Sequence, residues 1–319
     1  MPFEASDTQM SLVADIGGTN TRVALAHGPR IEMTSVRRYG NAGQSGIDTV
    51  LRQYLIETGT SEDLITGVCV AAAGPVHNGV AQMTNLPWRI ERDAIARALT
   101  AERAAVLNDL QAQGHAIGHI AGTDLQTVIA QPTPPDNAAK LVVGIGTGFN
   151  ASPVFEAPSG RIVPPAEAGH VSLPICDDKL GPVIDDMRRR FNFASVEEVL
   201  SGRGISYLHE ALHGEALMTP VVMERLADGD AQATETARLF VRVMGTVIGD
   251  LSLVHLPFGG IYLVGGVSRA VAPYLERFEF AAALRDKGRF AGFMEQFGVH
   301  VVSDDYAALT GCAAHLETL

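Results

Sequence analysis

The stretch LVADIGGTN, at Leu12–Asn20, decides the fold, because a short apolar run leads there into a glycine turn. A second apolar run follows at Thr21–Ala26, and two such runs about a glycine turn predict a β-hairpin. The stretch LVVGIGTGF, at Leu141–Phe149, has Leu, Val, Ile and Gly at matching places. This echo favours a duplicated α/β domain whose two turns face one another across a cleft; chance similarity of two glycine hairpins is the alternative.

Outward from the two hairpins, strand and helix patterns alternate along the chain, which predicts an α/β fold with a mixed sheet. The further predicted strands are Gly67–Ala73, Ala104–Leu107, Gly260–Val264 and Val299–Val302. The predicted helices are Gly46–Glu57, Arg92–Ala101, Asn108 to about Ile120, Val183–Phe191, Ser195–Leu200, Ile205–Leu212, Pro220–Ala227, Ala231–His255, Ser268–Glu276 and Tyr306–Glu317.

Length and charge narrow the class of protein. A chain of 319 residues predicts two domains. The formal net charge is −12 without a Lys/Arg-rich run, which argues against nucleic acid or an anionic membrane surface as a partner. ATP is still compatible with this charge, because backbone N–H groups and a metal ion can neutralise phosphates locally.

The cysteines and the N-terminus indicate the compartment. The three cysteines are odd in number and widely spaced, which predicts neither a disulfide framework nor a zinc site and favours the reducing cytoplasm. The opening MPFEASDTQM has no apolar stretch, and no apolar run reaches the ~20 residues that a membrane helix needs, so the sequence predicts a soluble protein without a signal peptide.

Three glycine turns are candidate phosphate-binding segments. Gly17-Gly18-Thr19 and Gly146-Thr147-Gly148 would let backbone N–H groups approach a phosphate closely, and Asp15 could hold Mg²⁺ through water. Gly265-Gly266 follows an apolar strand and precedes a helix, a place where nucleotides dock. Ordinary hairpin and strand-to-helix turns remain alternatives, since the segments lack the Walker lysine and the dinucleotide spacing.

Polar residues stand at three other places. Asn108-Asp109 lies between a strand and a helix, so it is either a helix cap or a catalytic carboxylate with a neighbouring amide. Glu167 and His170 stand in a loop of small residues, which suggests close approach of a ligand, with metal ligation as a weaker alternative. Ser195 and Glu198 fit a capping box, which leaves Glu197 to point at a ligand or at solvent.

Eight ordered motifs resemble the bacterial glucokinase family of the sugar kinase–actin ATPase superfamily. They are LVADIGGTNTRVAL, AQMTNLPW, VLNDLQA, VVGIGTG, PAEAGHVSLP, EEVLSGRGI, FGGIYLVGGVSR and DKGRF. The resemblance extends from Leu12 to about His315 and implies two domains of the actin-like ATPase (ribonuclease H-like) fold. It implies a smaller domain at 1–110, completed by a C-terminal helix at 304–319, and a larger domain at 111–303. A homodimer is also implied.

The resemblance implies phosphorylation of glucose by ATP with Mg²⁺, and Asp109 as the catalytic base on the sugar 6-hydroxyl. The implied sugar-binding residues are Asn85, Asn108, Asp109, Glu167, His170 and Glu197. The implied nucleotide-binding residues are Ala14, Asp15, Ile16, Gly17, Gly18, Thr19, Gly146, Thr147, Gly148, Gly265 and Gly266.

Two segments depart from the family pattern. Ala166-Glu167-Ala168 replaces the glycines that often flank the glutamate, and the segment 304–308 replaces an Asn-Pro-Gly-like stretch before the last helix. Three other functions stay open at this point. They are a kinase for another hexose or an N-acetyl amino sugar, a sugar-sensing regulator, and an actin-like or chaperone-like ATPase. The lack of a basic patch and of room for a DNA-binding segment before Leu12 argues against the regulator.

Overall fold

The computed structural model describes residues 10–83, 86–158 and 160–319. The strands are β1 (Met10–Ile16), β2 (Asn20–His27), β3 (Arg30–Ile31), β4 (Arg37–Gly40), β5 (Ile65–Ala72), β6 (Val76–His77), β7 (Val80–Gln82), β8 (Arg89–Glu91), β9 (Arg103–Asn108), β10 (Leu125–Ile129), β11 (Lys140–Ile145), β12 (Phe149–Ala157), β13 (Gly160–Ile162), β14 (Ile261–Val264) and β15 (Val299–Val302). The helices are α1 (Ile47–Thr58), α2 (Arg92–Ala98), α3 (Asp109–Ala116), α4 (Leu180–Phe191), α5 (Gly202–His213), α6 (Thr219–Ala227), α7 (Ala231–His255), α8 (Gly266–Val271), α9 (Phe280–Arg285) and α10 (Ala307–Leu316).

The chain divides into two compact units. The first unit is Met1–Ala121, Ala157–Pro165 and Asp304–Leu319, and the second unit is Gly122–Glu156 and Ala166–Ser303. The first unit therefore includes residues 111–121 and 157–165, which the boundaries taken from the sequence placed in the larger domain.

Contacts of α3 explain this assignment. Arg161 donates a hydrogen bond to the carbonyl of His115, next to the end of α3, at 2.8 Å. On α10, Gly311 packs so closely against α3 that a Cβ there would overlap the carbonyl oxygen of Ala112. Both contacts fasten α3 to segments of the first unit.

A mixed sheet forms the centre of the first unit. Its strand order is β3-β2-β1-β5-β9, and β4 pairs with the first half of β2 while β3 pairs with its end. The β1 strand is antiparallel to β2 but parallel to β5. The β5 strand is also parallel to β9. One face of this sheet packs with α1 around Leu51, Tyr54 and Trp88, and the other face packs with α10 around Leu309 and Cys312. Burial of these apolar faces is the main stabilising contribution to the unit.

The second unit has a sheet of the same kind. Strands β10-β15-β14-β11-β12 are neighbours, β11 is antiparallel to β12, and β11 is parallel to β14. The α7 helix supplies much of the core, including Phe240, Met244 and Ile248. The β-hairpins predicted at Leu12–Asn20 and Leu141–Phe149 are both confirmed, since β1 leads into β2 and β11 into β12.

Some predicted elements are wrong or shorter. The segment Ser195–Leu200 is not helical; Ser195 forms a bridge with Ser172 and turns follow it. The helix predicted over Ser268–Glu276 is the short α8 followed by a 3-10 turn, and α3 ends at Ala116 rather than near Ile120. Within the described part of the chain, no helix is long and apolar enough to cross a membrane.

Candidate active site

Three strands of the first unit end at one edge of its sheet. Ile16 pairs with Ala72, and Ala72 pairs with Asn108, so β1, β5 and β9 end in register. Because parallel strands present their carboxyl ends at the same edge, the turn after β1 and the residues after β9 lie at that edge. This is the edge of open α/β sheets at which ligands bind.

The first glycine turn is held in shape by Asn41. The turn closes with the N–H of Gly17 donating to the carbonyl of Asn20 at 3.0 Å. Asn41 is 3% exposed, and its Nδ2 donates to the carbonyl of Gly17 at 2.9 Å. Its Oδ1 accepts from the hydroxyl of Thr21 at 2.8 Å, and its N–H donates to the carbonyl of Thr19 at 2.9 Å. Asn41 therefore fixes the backbone on which Gly18 and Thr19 lie exposed.

Asp15 lies just before this turn and has a basic neighbour. Its carboxylate is 3.4 Å from Nη1 of Arg22, and its side chain is 19% exposed. Burial raises the pKa of Asp15, and the charge of Arg22 opposes that effect. Arg22 also donates to the carbonyl of Asp305 and lies over the ring of Tyr306. The departure from the family pattern before α10 is thus in contact with the residue that pairs with Asp15.

Asn108 and Asp109 begin α3. Asn108 is the N-cap: its Oδ1 accepts from the N–H of Leu110 at 2.9 Å, and Oε1 of Gln111 accepts from its N–H at 3.1 Å. Its Nδ2 donates to the carbonyl of Gly74 at 2.9 Å. The exposed Asp109 also accepts from the N–H of Leu110 at 2.9 Å. The cap role of Asn108 is therefore real, and it orients Asp109 outward at the sheet edge.

The corresponding edge of the second unit gathers three glycine segments. Gly146 closes its turn by donating to the carbonyl of Gly148 at 2.9 Å, and its own carbonyl accepts from the N–H of Gly202 at 2.8 Å. Gly265 has φ +97°, and a Cβ there would overlap the carbonyl oxygen of Ile145. Only glycine suits that position, because its backbone is left-handed and packed directly against the end of β11. The first residue of α5 and the start of α8 thus border the Gly146–Gly148 turn.

Asn150 holds the loop that carries Glu167 and His170. Its Nδ2 donates to the carbonyl of Ala166, and its Oδ1 accepts from the N–H of Ala168 at 2.9 Å. These two bonds clamp the backbone on both sides of Glu167, so the alanines that replace glycines are compatible with an ordered loop. Both Glu167 and His170 are exposed.

Glu197 contacts the end of the Gly146–Gly148 turn directly. Its Oε2 accepts from the N–H of Phe149 at 3.0 Å, and its Oε1 accepts from Nη2 of Arg203 at 3.0 Å. Glu198 also accepts from Arg203, at 3.2 Å, and not from Ser195, so the predicted capping box is wrong. The backbone N–H of Glu197 donates to the carbonyl of Gly169 at 3.0 Å, which joins the Glu167–His170 loop to this cluster.

Several positioning residues have no clear sequence signal. Asn41, Asn150 and Gly202 act through contacts with backbone that is distant along the chain, so no local spacing marks them. Asn85 lies outside the described residues. Among residues 10–83, 86–158 and 160–319, no group of three or more histidine, cysteine, aspartate or glutamate side chains could hold a metal ion.

Comparison with known proteins decides the family. The sequence pattern of the glucokinase family matches residues 12–319. The chain belongs to the glucokinase family. A glucokinase of Caulobacter vibrioides is 33% identical over 322 aligned positions, covering 96% of this chain and 95% of that protein. The predicted membership of the bacterial glucokinase family, and with it the prediction of an enzyme, is confirmed.

Solved structures of glucokinases have the same fold. The crystal structure of glucokinase from an Antarctic psychrotroph has a TM-score of 0.86 at 26% identity, covering 98% of this chain and 99% of that one. A ROK family glucokinase from Streptomyces griseus, solved with glucose and AMPPNP, has a TM-score of 0.64 at 18% identity, covering 96% and 98%. The predicted α/β fold, with two domains of the actin-like ATPase type, is confirmed.

Proposed function

We propose that this enzyme transfers the γ-phosphoryl group of ATP to the 6-hydroxyl of glucose. The family match over residues 12–319 carries the proposal. The placement of Asp15, the first glycine turn and Asp109 at one edge of the first-unit sheet supports it. The Streptomyces glucokinase solved with glucose and an ATP analogue supports the same pair of substrates.

Asp109 is the general base of the proposed reaction. A sugar hydroxyl is a weak nucleophile, and phosphoryl transfer depends mainly on positioning and on neutralising charge. A carboxylate that is exposed at the sheet edge can orient the 6-hydroxyl and accept its proton as the bond to phosphorus forms. The Leu110 N–H bond at 2.9 Å fixes Asp109 at the start of α3, which suits a group that must be positioned before the reaction.

The remaining polar groups bind the sugar. By the family resemblance, Asn85, Asn108, Glu167, His170 and Glu197 take the other hydroxyls. A site built from such groups discriminates against an analogue lacking one hydroxyl by about 1–3 kcal/mol for each polar group that the bound sugar covers and leaves unpaired. This preference distinguishes glucose from other hexoses and from N-acetyl amino sugars in a kinetic panel.

The glycine turns hold the nucleotide. Backbone N–H groups of Gly17–Thr19 and Gly146–Gly148 approach its phosphates, and Gly265-Gly266 borders the adenosine. When bound with the nucleotide, Mg²⁺ would neutralise phosphate charge. Mg²⁺ that is bound mainly by phosphates and water needs only one or two carboxylates, and the partly exposed Asp15 fits that requirement through a bridging water.

Replacing Asp109 by asparagine tests the general base. Asparagine retains a side-chain oxygen for the Leu110 N–H, so α3 should begin as before. We expect kcat to fall by about 10²-fold or more, with glucose binding largely kept. The measurement is a coupled assay of glucose 6-phosphate with Asp63→Asn, an exposed carboxylate elsewhere in the unit, as control. A near-normal kcat in Asp109→Asn would mean that Asp109 serves only the start of the helix.

We also propose that the enzyme is a homodimer of the cytoplasm. The resemblance to bacterial glucokinases supports both points. Sedimentation equilibrium of the purified chain measures the subunit number directly, and a single species of one-chain mass across the micromolar range would refute the dimer. Cell fractionation with an antibody against the chain measures the compartment.

A further inference from the structure

Arg203 lies between two carboxylates at the start of α5. Its Nη2 donates to Oε1 of Glu197 at 3.0 Å and to Oε1 of Glu198 at 3.2 Å. The carboxylates are 20% and 19% exposed, whereas the arginine side chain is 60% exposed. Surface ion pairs of this kind contribute little to stability. The position of the arginine therefore calls for a reason other than holding the fold.

The cluster of Glu197, Glu198 and Arg203 is bonded to the Gly146–Gly148 turn from two sides. The carboxylate of Glu197 accepts from Phe149, the residue directly after Gly148, at 3.0 Å. The N–H of Gly202, directly before Arg203, donates to the carbonyl of Gly146 at 2.8 Å. The guanidinium is thus separated from the turn by one carboxylate and two hydrogen bonds. That separation is shorter than the screening length of about 10 Å in 0.1 M salt.

The two negative charges of this cluster repel the phosphates of a bound nucleotide. Glu197 and Glu198 place two negative charges beside a turn that, on the function proposed above, binds phosphate. At separations below 10 Å, partly buried like charges repel appreciably. Arg203 is the cation bonded to both carboxylates, and its exposure lets its field reach the same region.

We propose that Arg203 is a positioning residue that sets the affinity for nucleotide phosphates. It does so by offsetting the charge of Glu197 and Glu198, while the N–H of Phe149 holds the other oxygen of the Glu197 carboxylate without Arg203. Arg203 acts through these carboxylates and the turn, so its removal weakens nucleotide binding more than glucose binding. The proposal rests on the assignment of Gly146–Gly148 to nucleotide phosphate.

Calorimetric binding of ADP and AMPPNP tests the proposal, because it does not depend on turnover. Arg203→Ala should raise Kd about 10-fold in 0.02 M salt and only about 3-fold in 0.5 M salt, because salt weakens the repulsion between the carboxylates and the phosphates. Arg203→Lys should keep Kd within about 3-fold of the parent, since it keeps the charge. Arg188→Ala is the matched control: it removes the same charge from α4, where the side chain is 66% exposed and pairs with Asp185.

The outcomes separate the charge role from a structural role. A loss of affinity in Arg203→Ala that is the same at both salt concentrations, or a glucose KM that rises as much as the nucleotide Kd, would overturn the proposal. An unchanged Kd at low salt would also overturn it. If the parent protein binds nucleotide but phosphorylates no hexose, only the proposed function fails. If it binds neither nucleotide, both fail.

Discussion

The Gly148→Ala variant tests whether the Glu197 carboxylate must lie against the Gly146–Gly148 turn. A Cβ at Gly148 would overlap Oε2 of Glu197 and would lie 3.1 Å from its carboxyl carbon. That oxygen is the one that accepts from the N–H of Phe149 at 3.0 Å. One added methyl group therefore forces the carboxylate away from the turn without changing the charge of the protein.

The expected loss of glucose affinity follows from the hydrogen bond that breaks between Phe149 and Glu197. A hydrogen bond to a charged group contributes about 1.5–3 kcal/mol. Phe149 is 3% exposed, so its N–H loses its partner in a site with little water. If Glu197 also binds a sugar hydroxyl, a displacement that costs that energy should raise the glucose KM by about 10- to 100-fold, since 1.4 kcal/mol corresponds to tenfold.

The assay is steady-state phosphorylation of glucose with both substrates varied in turn. The matched control is Gly181→Ala on α4, where an added Cβ would meet nothing within 4 Å. We expect Gly181→Ala to keep the parent KM values. Glu197→Gln should resemble Gly148→Ala in its glucose KM, because it weakens the same group while leaving the glycine in place.

A glucose KM within about 2-fold of the parent value, in a Gly148→Ala protein that melts cooperatively, would refute this reasoning. It would show that the contact between Glu197 and the turn is not needed for the sugar. An equal effect of Gly181→Ala would show that a general loss of stability in the second unit, not the displaced carboxylate, causes the change.

Two further predictions concern the second unit. Asn150→Ala removes two hydrogen bonds to Ala166 and Ala168, of about 0.5–1.5 kcal/mol each. If the Glu167–His170 loop binds the sugar, the glucose KM should rise about 10-fold while the ATP KM changes less. Equal changes in the two KM values would contradict a role confined to that loop. Burial and the neighbouring His213 lower the pKa of His209, with Glu215 opposing. The unfolded chain then binds more protons, so the melting temperature should fall as pH drops below about 6.5. His209→Gln should flatten that dependence, and parallel pH curves for the two proteins would contradict it.

The parts of the fold that the sequence predicted are those set by local pattern. Apolar runs that end in glycine predicted both hairpins, because a strand pattern and a turn signal stand next to each other in the chain. The turn at Gly265 was predicted for the same reason. The α7 helix was predicted with its observed bounds, Ala231–His255, because it is long and strongly periodic.

The Ser195–Leu200 prediction failed because pairing with a distant segment outweighed a local capping signal. The N–H of Val196 donates to the carbonyl of Val171 at 3.0 Å, and the N–H of Leu173 donates to the carbonyl of Ala194 at 3.0 Å. With these groups paired in an extended arrangement, Ser195 cannot cap a helix. Instead, Ser201 begins α5 six residues later, where its Oγ accepts from the N–H of Gly204 at 3.1 Å.

The candidate site was predicted where a side chain is marked by its own neighbours in sequence. Asp109 became a candidate because it follows a strand, and Glu167 because small residues surround it, whereas the roles proposed for them come from the family resemblance. Asn41 and Asn150 were missed because each acts on a backbone segment 16 or more positions away. An asparagine in a loop or at a strand start is common, and only the folded chain shows that both of its amide atoms are used.

The two hairpins have the same scaffold but acquire their acidic groups differently. In the alignment of LVADIGGTN with LVVGIGTGF, β1 and β11 end at equivalent residues, Ile16 and Ile145, and both are parallel to the next strand of their sheet. Asp15 corresponds to Gly144, so the carboxylate of the first unit comes from the strand itself. In the second unit the corresponding residue is a glycine and has no side chain. The carboxylate next to the turn there is that of Glu197, which lies in a separate loop and accepts a hydrogen bond from the N–H of Phe149. The backbone of a strand residue is held by the sheet, whereas Glu197 can move with the Glu167–His170 loop, to which its N–H is bonded. For that reason we expect glucose to alter the second turn more than the first, as hydrogen exchange at the Phe149 amide would show.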